Sequence, residues 1–223
     1  MDRQTLNLQK ACNLILNSGL DEDGLIGNLT IAAEQKLIDK LHSVYTFKYG
    51  IKAPLFEPIG IRIDDKLTDK FTDILLLLVG EHSLFTIPIS TKPASYLESE
   101  RKVAILKENR YVNTWQLQHT GWTKLPFFQQ VKPVVVYRDN FKDLSITRSS
   151  PTEQGNFGIN LHSWLGWLQN IIWYKSASRN VALSEGCQVA MANDWNDFIS
   201  QIKRKYMIGD VITYTLIHRE DFN

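Results

Sequence analysis

From residue 59 to residue 139 the chain is a succession of short β-rich runs: IGIRI, DILLLLVG, SLFTIPIST, KVAILK, WQLQHTG and KPVVVYRD, parted by Gly, Asp, Pro and Asn. Segments this short, rich in β-branched and aromatic residues and interrupted this often, suit strands joined by turns. They predict a mostly antiparallel β domain. The flanks read differently. LNLQKACNLILNS, residues 6–18, sets Leu8, Ala11, Cys12, Ile15 and Leu16 on one helical stripe, with Gly19 as its stop. LDEDGLIGN is turn-rich, and NLTIAAEQKLIDKLHSVY predicts a second helix capped near Asn28 or Thr30. Near the other end, DWNDFISQIKRKYMIG places Trp195, Phe198, Ile199 and Ile202 on one helical face, with Asp194 as cap and Gly209 as stop, and VITYTLI at 211–217 reads as a last strand. The fold class expected is α+β: a small helical module over about 1–48, then a β-rich domain over about 55–223 that closes with a helix and a strand.

Composition narrows the partners. With 43% hydrophobic and 22% charged residues, 223 residues bury a real core. A net charge of +1 gives no electrostatic reason to bind nucleic acid or an anionic membrane. The most apolar run, DILLLLVG, falls far short of the ~20 residues a membrane helix needs, so no membrane insertion is expected. The first residues hold no continuous apolar stretch of the secretory kind, and two cysteines, at 12 and 187, make no disulfide framework. Synthesis in a reducing cytoplasm is the expectation. No cofactor is called for, and oligomeric state is left open.

Chemistry concentrates in LSEGCQV, residues 183–189. A cysteine acts as a nucleophile when its thiolate is accessible and a base is within reach. Gly186 permits a sharp turn whose amides can hold an oxyanion. In NFGINLHSW, alternation sets Phe157, Ile159 and Leu161 on one face and Gly158, Asn160 and His162 on the other, which makes His162 the base candidate. Ser184 is expected to shape the turn. Glu185 is expected to face solvent, since a carboxylate beside a thiol raises its pKa. Cys12 belongs to the apolar stripe and is expected in the core. Trp164, Trp167, Trp173 and Tyr174 read either as core or as a sugar-stacking wall. His119, in LQHTGW, is either a site residue or a loop histidine; Arg138-Asp139, ending a strand, is either a site pair or a local ion pair.

Two resemblances add to this reading. Leu8, Gln9, Asp23, Gly24, Gly27, Thr30 and Ala33 stand in the order and spacing of the L-Q … D-G-x-x-G-x-x-T-x-x-A core of the bacterial peptidoglycan-binding module, which the first residues resemble. His162 followed by Ser184-Glu185-Gly186-Cys187 resembles the His … [S/T]-H-G-C pattern of L,D-transpeptidase catalytic domains. That resemblance implies Cys187 as acyl-accepting nucleophile, His162 as its base, the Ser163 carbonyl as the group orienting the imidazole, and amides around Gly186 and Cys187 as oxyanion hole. The chain departs from the pattern in carrying Glu185 where the family has His, and Gln188-Val189-Ala190 where an Arg follows the Cys. A wider similarity, through IGIR, FTIPISTKPASYL, AILKENRYVNTWQLQHTG, PVVVYRDN, NFGINLH, SEGCQV and TYTLIHREDF, is to a group of bacterial and phage proteins taken to be cell-wall-active or lysis proteins. It implies that His119, Arg138, Asp139, Ser184 and Gln188 line the site with Cys187 and His162, as substrate-binding residues.

The function expected is a peptidoglycan-active cysteine enzyme that cleaves or exchanges a stem-peptide amide through a Cys187 thioester, with the helical module holding it on the polymer. The partner is bacterial peptidoglycan, with no nucleic acid. Absence of a signal peptide favours a phage-type endolysin released with a holin's help. Two other readings stand: a non-catalytic wall-binding or virion protein, and a zinc peptidase using His119, Asp139, His162 and Cys187.

Overall fold

A computed structural model describes residues 1–68, 70–93, 103–120, 125–138, 145–163 and 184–223. The chain forms two N-terminal helices, a closed eight-stranded barrel and a three-stranded sheet at its flank. The β-rich α+β expectation therefore holds.

Helix α1 (Arg3–Leu16) starts at Asp2, whose carboxylate accepts from the Gln4 and Thr5 amides, and stops at Asn17, which takes the left-handed conformation at φ 52°. The stop is Asn17 rather than Gly19, because an Asn tolerates that conformation and the next turn is already made. Helix α2 (Asn28–Tyr49) begins after Gly27 and ends at Gly50, at φ 69°.

The barrel runs β1 (Ile59–Arg62), β11 (Val211–His218), β5 (Asn109–His119), β6 (Pro126–Gln130), β9 (Leu161–Ser163), β10 (Gln188–Ala190), β3 (Ser83–Ser90), β2 (Asp73–Gly80) and back to β1. Most pairs are antiparallel; β1/β11 and β9/β10 are parallel. The small sheet is β4 (Ile105–Leu106), β7 (Val134–Tyr137) and β8 (Thr152–Gly155).

Strand β2 shows why DILLLLVG is apolar at every step. Leu75 and Leu77 join the interior with Phe85, Trp115, Phe128 and Tyr214, while Ile74, Leu76 and Leu78 face outward into a second apolar cluster. That outer cluster contains Leu8, Cys12 and Ile15 of α1, Leu37, Leu41 and Tyr45 of α2, and Ile59 and Ile61 of β1. A strand covered on both faces has no polar side to present. One apolar cluster thus spans the helical hairpin and the barrel wall. Glu57 adds a polar tie: it accepts from Tyr45 at 3.1 Å, Thr215 at 2.5 Å and Arg110 at 2.7 Å.

Helix α3 (Ala192–Ile202) sends Trp195, Phe198, Ile199 and Ile202 into the interior cluster, as its periodicity predicts. Its N-cap is Met191, not Asp194, which lies in the first turn, and it ends at Ile202, well before Gly209. Lys203 to Lys205 continue as turns bonded back to α3.

The D-G-x-x-G motif is a framework for the turn between α1 and α2. Gln9 is 2% exposed, and its amide nitrogen donates to Asp23 at 2.8 Å, Leu25 O at 3.0 Å and Thr30 Oγ1 at 3.5 Å, while its oxygen accepts from the Gly24 amide at 2.9 Å. Gly24 sits at φ 68°, and a Cβ there would meet the Asp2 carbonyl oxygen at 2.9 Å. Among the described residues no helix is long and apolar enough to cross a membrane.

Candidate functional site

Strands β9 and β10 run parallel, with Gln188 opposite Leu161, Val189 opposite His162 and Ala190 opposite Ser163. The Gln188 amide donates to Asn160 O at 2.8 Å, so the ladder continues back to set Cys187 beside Asn160. Side chains alternate along a strand, and register partners share a face. Leu161 and Ala190 point into the interior cluster. His162 and Val189 therefore project on the other face, while Cys187, just before β10, turns its Sγ toward the backbone of Gly158 and Asn160, the segment that leads into β9 and His162.

The imidazole is fixed in one tautomer. His162 Nδ1 lies 2.9 Å from the Ser163 carbonyl oxygen. A carbonyl only accepts, so Nδ1 carries the proton and Nε2 offers its lone pair. The half-buried ring has its pKa lowered by burial, against a smaller opposing effect of the Ser163 bond. It rests neutral.

The thiol is half-buried and held by backbone. Cys187 Sγ donates to Gly158 O at 3.4 Å and accepts from the Asn160 amide at 3.4 Å. Burial pushes its pKa up, the Glu185 carboxylate adds to that, and the Asn160 bond opposes it. Glu185 is exposed, as expected, yet its charge still reaches the thiol. Thiol and imidazole both rest uncharged.

Ser184 builds the turn in front of the thiol. Its hydroxyl donates to Cys187 O at 2.7 Å and accepts from the Gly186 amide at 3.0 Å. That leaves the Gly186 N–H engaged inside the turn, so the expected oxyanion role cannot rest on that amide as the turn stands. Gly186 sits at φ 147°, and any Cβ there would penetrate the carbonyl oxygen of Ala104. Glycine is required both for the dihedral and for the close approach.

The other sequence candidates are dispersed. Gln188 is 2% exposed and faces the barrel interior, where Tyr214 donates to its oxygen at 3.2 Å. Its amide is engaged with protein groups there, which is a framework position rather than the exposed one expected of a substrate-binding residue. His119 ends β5, exposed, two residues beyond the interior-facing Leu117. Its parity is that of the interior-facing residues, opposite to His162. Arg138 is partly buried: it donates to Glu153 at 2.6 Å and lies over the Phe157 ring at 4.7 Å, one residue from Gly158. The ion pair is to the neighbouring strand β8, and the stacking contact brings Arg138 to the edge of the thiol's surroundings. Asp139 and the aromatics Trp164, Trp167, Trp173 and Tyr174 lie outside the described residues. Cys12 is fully buried, with its thiol pushed up to about 12 by burial. Among the described residues no group of three or more His, Cys, Asp or Glu side chains is placed to hold a metal ion.

Neither a scan against protein-family models nor a search of curated proteins returns a match to this chain.

Sequence reasoning missed the interior charge. Arg62, wholly buried in β1, pairs with Glu108 and donates to Leu106 O at 2.9 Å and Thr91 O at 3.0 Å. Glu108 also accepts from Tyr137 at 2.9 Å. Alternation in IGIRI does put Arg62 on the face opposite Ile59 and Ile61. What hid it was the assumption that the face away from the apolar residues meets water.

Proposed function

We propose that the chain is a cysteine acyl-transfer enzyme of L,D-transpeptidase-like chemistry acting on peptidoglycan stem peptides. One observation carries it: Cys187 leads into β10 directly beside the segment that leads into β9 and His162, with the ring held by Ser163 O so that Nε2 is the free base. The choice of peptidoglycan rests on the sequence motifs, in both the SEGC turn and the Gln9–Asp23–Gly24 module.

The step is written from these groups. The thiol leaves Gly158 O and gives its proton to His162 Nε2 as Sγ attacks an amide carbonyl. A tetrahedral intermediate forms with its oxyanion toward the Cys187 amide. The carbon–nitrogen bond breaks, the imidazolium proton goes to the departing amine, and a thioester remains. Water or a second amine, deprotonated by Nε2, attacks the thioester and returns the proton to sulfur. Because both groups rest neutral, proton transfer accompanies attack rather than preceding it.

Digestion of purified peptidoglycan by wild type and by Cys187→Ala, with products weighed by mass spectrometry, tests the reading. New muropeptides absent from the variant support it, and their masses name the bond. Identical products from both proteins overturn it.

A second reading has its own observation. The thiol is tied to Gly158 O and its pKa is raised, which is the state of an inert cysteine. A wall-binding protein with a silent turn is what remains if no product forms while wall binding persists.

A further inference from the structure

We propose that Gln188 is the positioning residue of the Cys187 turn, and that Tyr214 sets which way its amide points. The inference deepens the nucleophile reading of Cys187 and rests on it for its biological meaning; the geometry stands independently.

Three groups surround the Gln188 amide. The Tyr214 hydroxyl donates to its oxygen at 3.2 Å, and its nitrogen donates to Gly186 O at 3.4 Å and Thr91 O at 3.3 Å. One donor and two acceptors therefore face it. A neutral primary amide, with one acceptor oxygen and two N–H donors, matches all three. An apolar side chain matches none, and a carboxylate sets oxygen against two carbonyls. Gln188 is 2% exposed, so an unmatched group has no water to turn to.

The surroundings hold this arrangement. Tyr214 is wholly buried, and a Cβ on Gly60 would occupy the space of its hydroxyl. The glycine of IGIR thereby leaves room for the group that orients Gln188. Thr91 O is fixed in turn by Arg62, which also binds Leu106 O, two residues past the Ala104 carbonyl that packs on Gly186. The turn is braced by Ser184 within, Ala104 in front and Gln188 beneath. The Asn160 N–H to Sγ bond exists only while Cys187 keeps this position. A turn that moves loses this hydrogen bond, which stabilises the thiolate.

The test is the pH dependence of Cys187 alkylation by iodoacetamide in the full chain, with the labelled peptide identified by mass so that Cys12 does not contribute. Gln188→Leu, Gln188→Glu and Tyr214→Phe are compared with wild type, and Gln9→Leu serves as a destabilised control far from the turn. The midpoint is expected to rise by about one pH unit in Gln188→Leu and Gln188→Glu, and by a smaller amount in Tyr214→Phe, where the ring still fills its place. Gln9→Leu is expected to leave it unchanged. Midpoints unmoved or lowered in the Gln188 variants and in Tyr214→Phe overturn the proposal. Should a Gln188 variant not fold, Tyr214→Phe decides alone. The measurement needs no substrate: shifted midpoints in a protein without wall activity would leave the positioning role intact and remove the enzyme reading.

Discussion

The α-carbon of Gly186 lies against the carbonyl oxygen of Ala104, with no space between them for a methyl group. The residue that shapes the turn before Cys187 is thus locked to the segment that leads into β4. Gly186→Ala must both adopt φ near 147° and displace Ala104. A loss of about 2–4 kcal/mol in unfolding free energy is expected, with Cys187 reactivity lost alongside. Urea denaturation and thiol alkylation of the same sample check both.

Ser184→Ala removes two hydrogen bonds, to Cys187 O and from the Gly186 amide. The expected destabilisation is about 1–3 kcal/mol, because the two partners are left unmatched in a buried turn. If denaturation midpoints do not change, the hydroxyl is not what holds the turn.

The Cys187 thiol should ionise above its ordinary value of 9.0, since burial and the Glu185 charge both disfavour the thiolate. Its alkylation rate at pH 7 should therefore be lower than that of a free thiol, rising through an alkaline midpoint. Glu185→Gln removes one of the two raising causes and is expected to move the midpoint down. The shift should shrink in high salt, because Glu185 is exposed.

Two histidines should make the fold sensitive to mild acid. Burial lowers the pKa of both His162 and His218 below 6.5. Between 6.5 and the lower folded values, the unfolded chain binds protons that the folded chain refuses. Stability is therefore full above about pH 6.5 and falls as pH drops through that window. At His218 the geometry agrees: Nδ1 accepts from the Glu220 amide at 3.2 Å, a bond that protonation abolishes. Urea midpoints at pH 7.5 and 5.5 should differ less in His218→Asn than in wild type.

Gln9→Leu keeps the volume but strips four hydrogen bonds from the loop between α1 and α2. A loss of roughly 2–4 kcal/mol is expected, with faster hydrogen exchange at the Gly24 amide. Exchange at wild-type rates would mean that the loop holds itself.

What could be read beforehand follows from how local each signal is. Trp195, Phe198, Ile199 and Ile202 announce their shared face by spacing alone, and the helix buries all four. The side that His162 takes was legible because alternation sets it opposite Leu161, which the interior buries. The burial of Gln188 was not legible, because a polar residue beside a cysteine looks exposed until the strand's inward side is known. The unbroken DILLLLVG gave its strand but not its two coverings, since only the folded chain brings α1 and α2 onto its outer face. Helix ends moved for a similar reason: Asn17 and Met191 act through backbone conformation, which residue type signals weakly.

Strand β11 pairs with β1 on one side and β5 on the other, so that Ile59 meets Thr215 and Gln116 meets Val211. During synthesis, β1 and β5 emerge long before the strand that joins them. β1 can pair with β2 and β5 with β6, but the other edge of each stays open until residues 211–218 have left the ribosome, and closing so long a loop is slow. Tyr214 arrives on that same strand, so the brace beneath Cys187 is set among the last events of folding. A nascent chain stalled before β11 would carry the cysteine without the geometry that gives it a purpose.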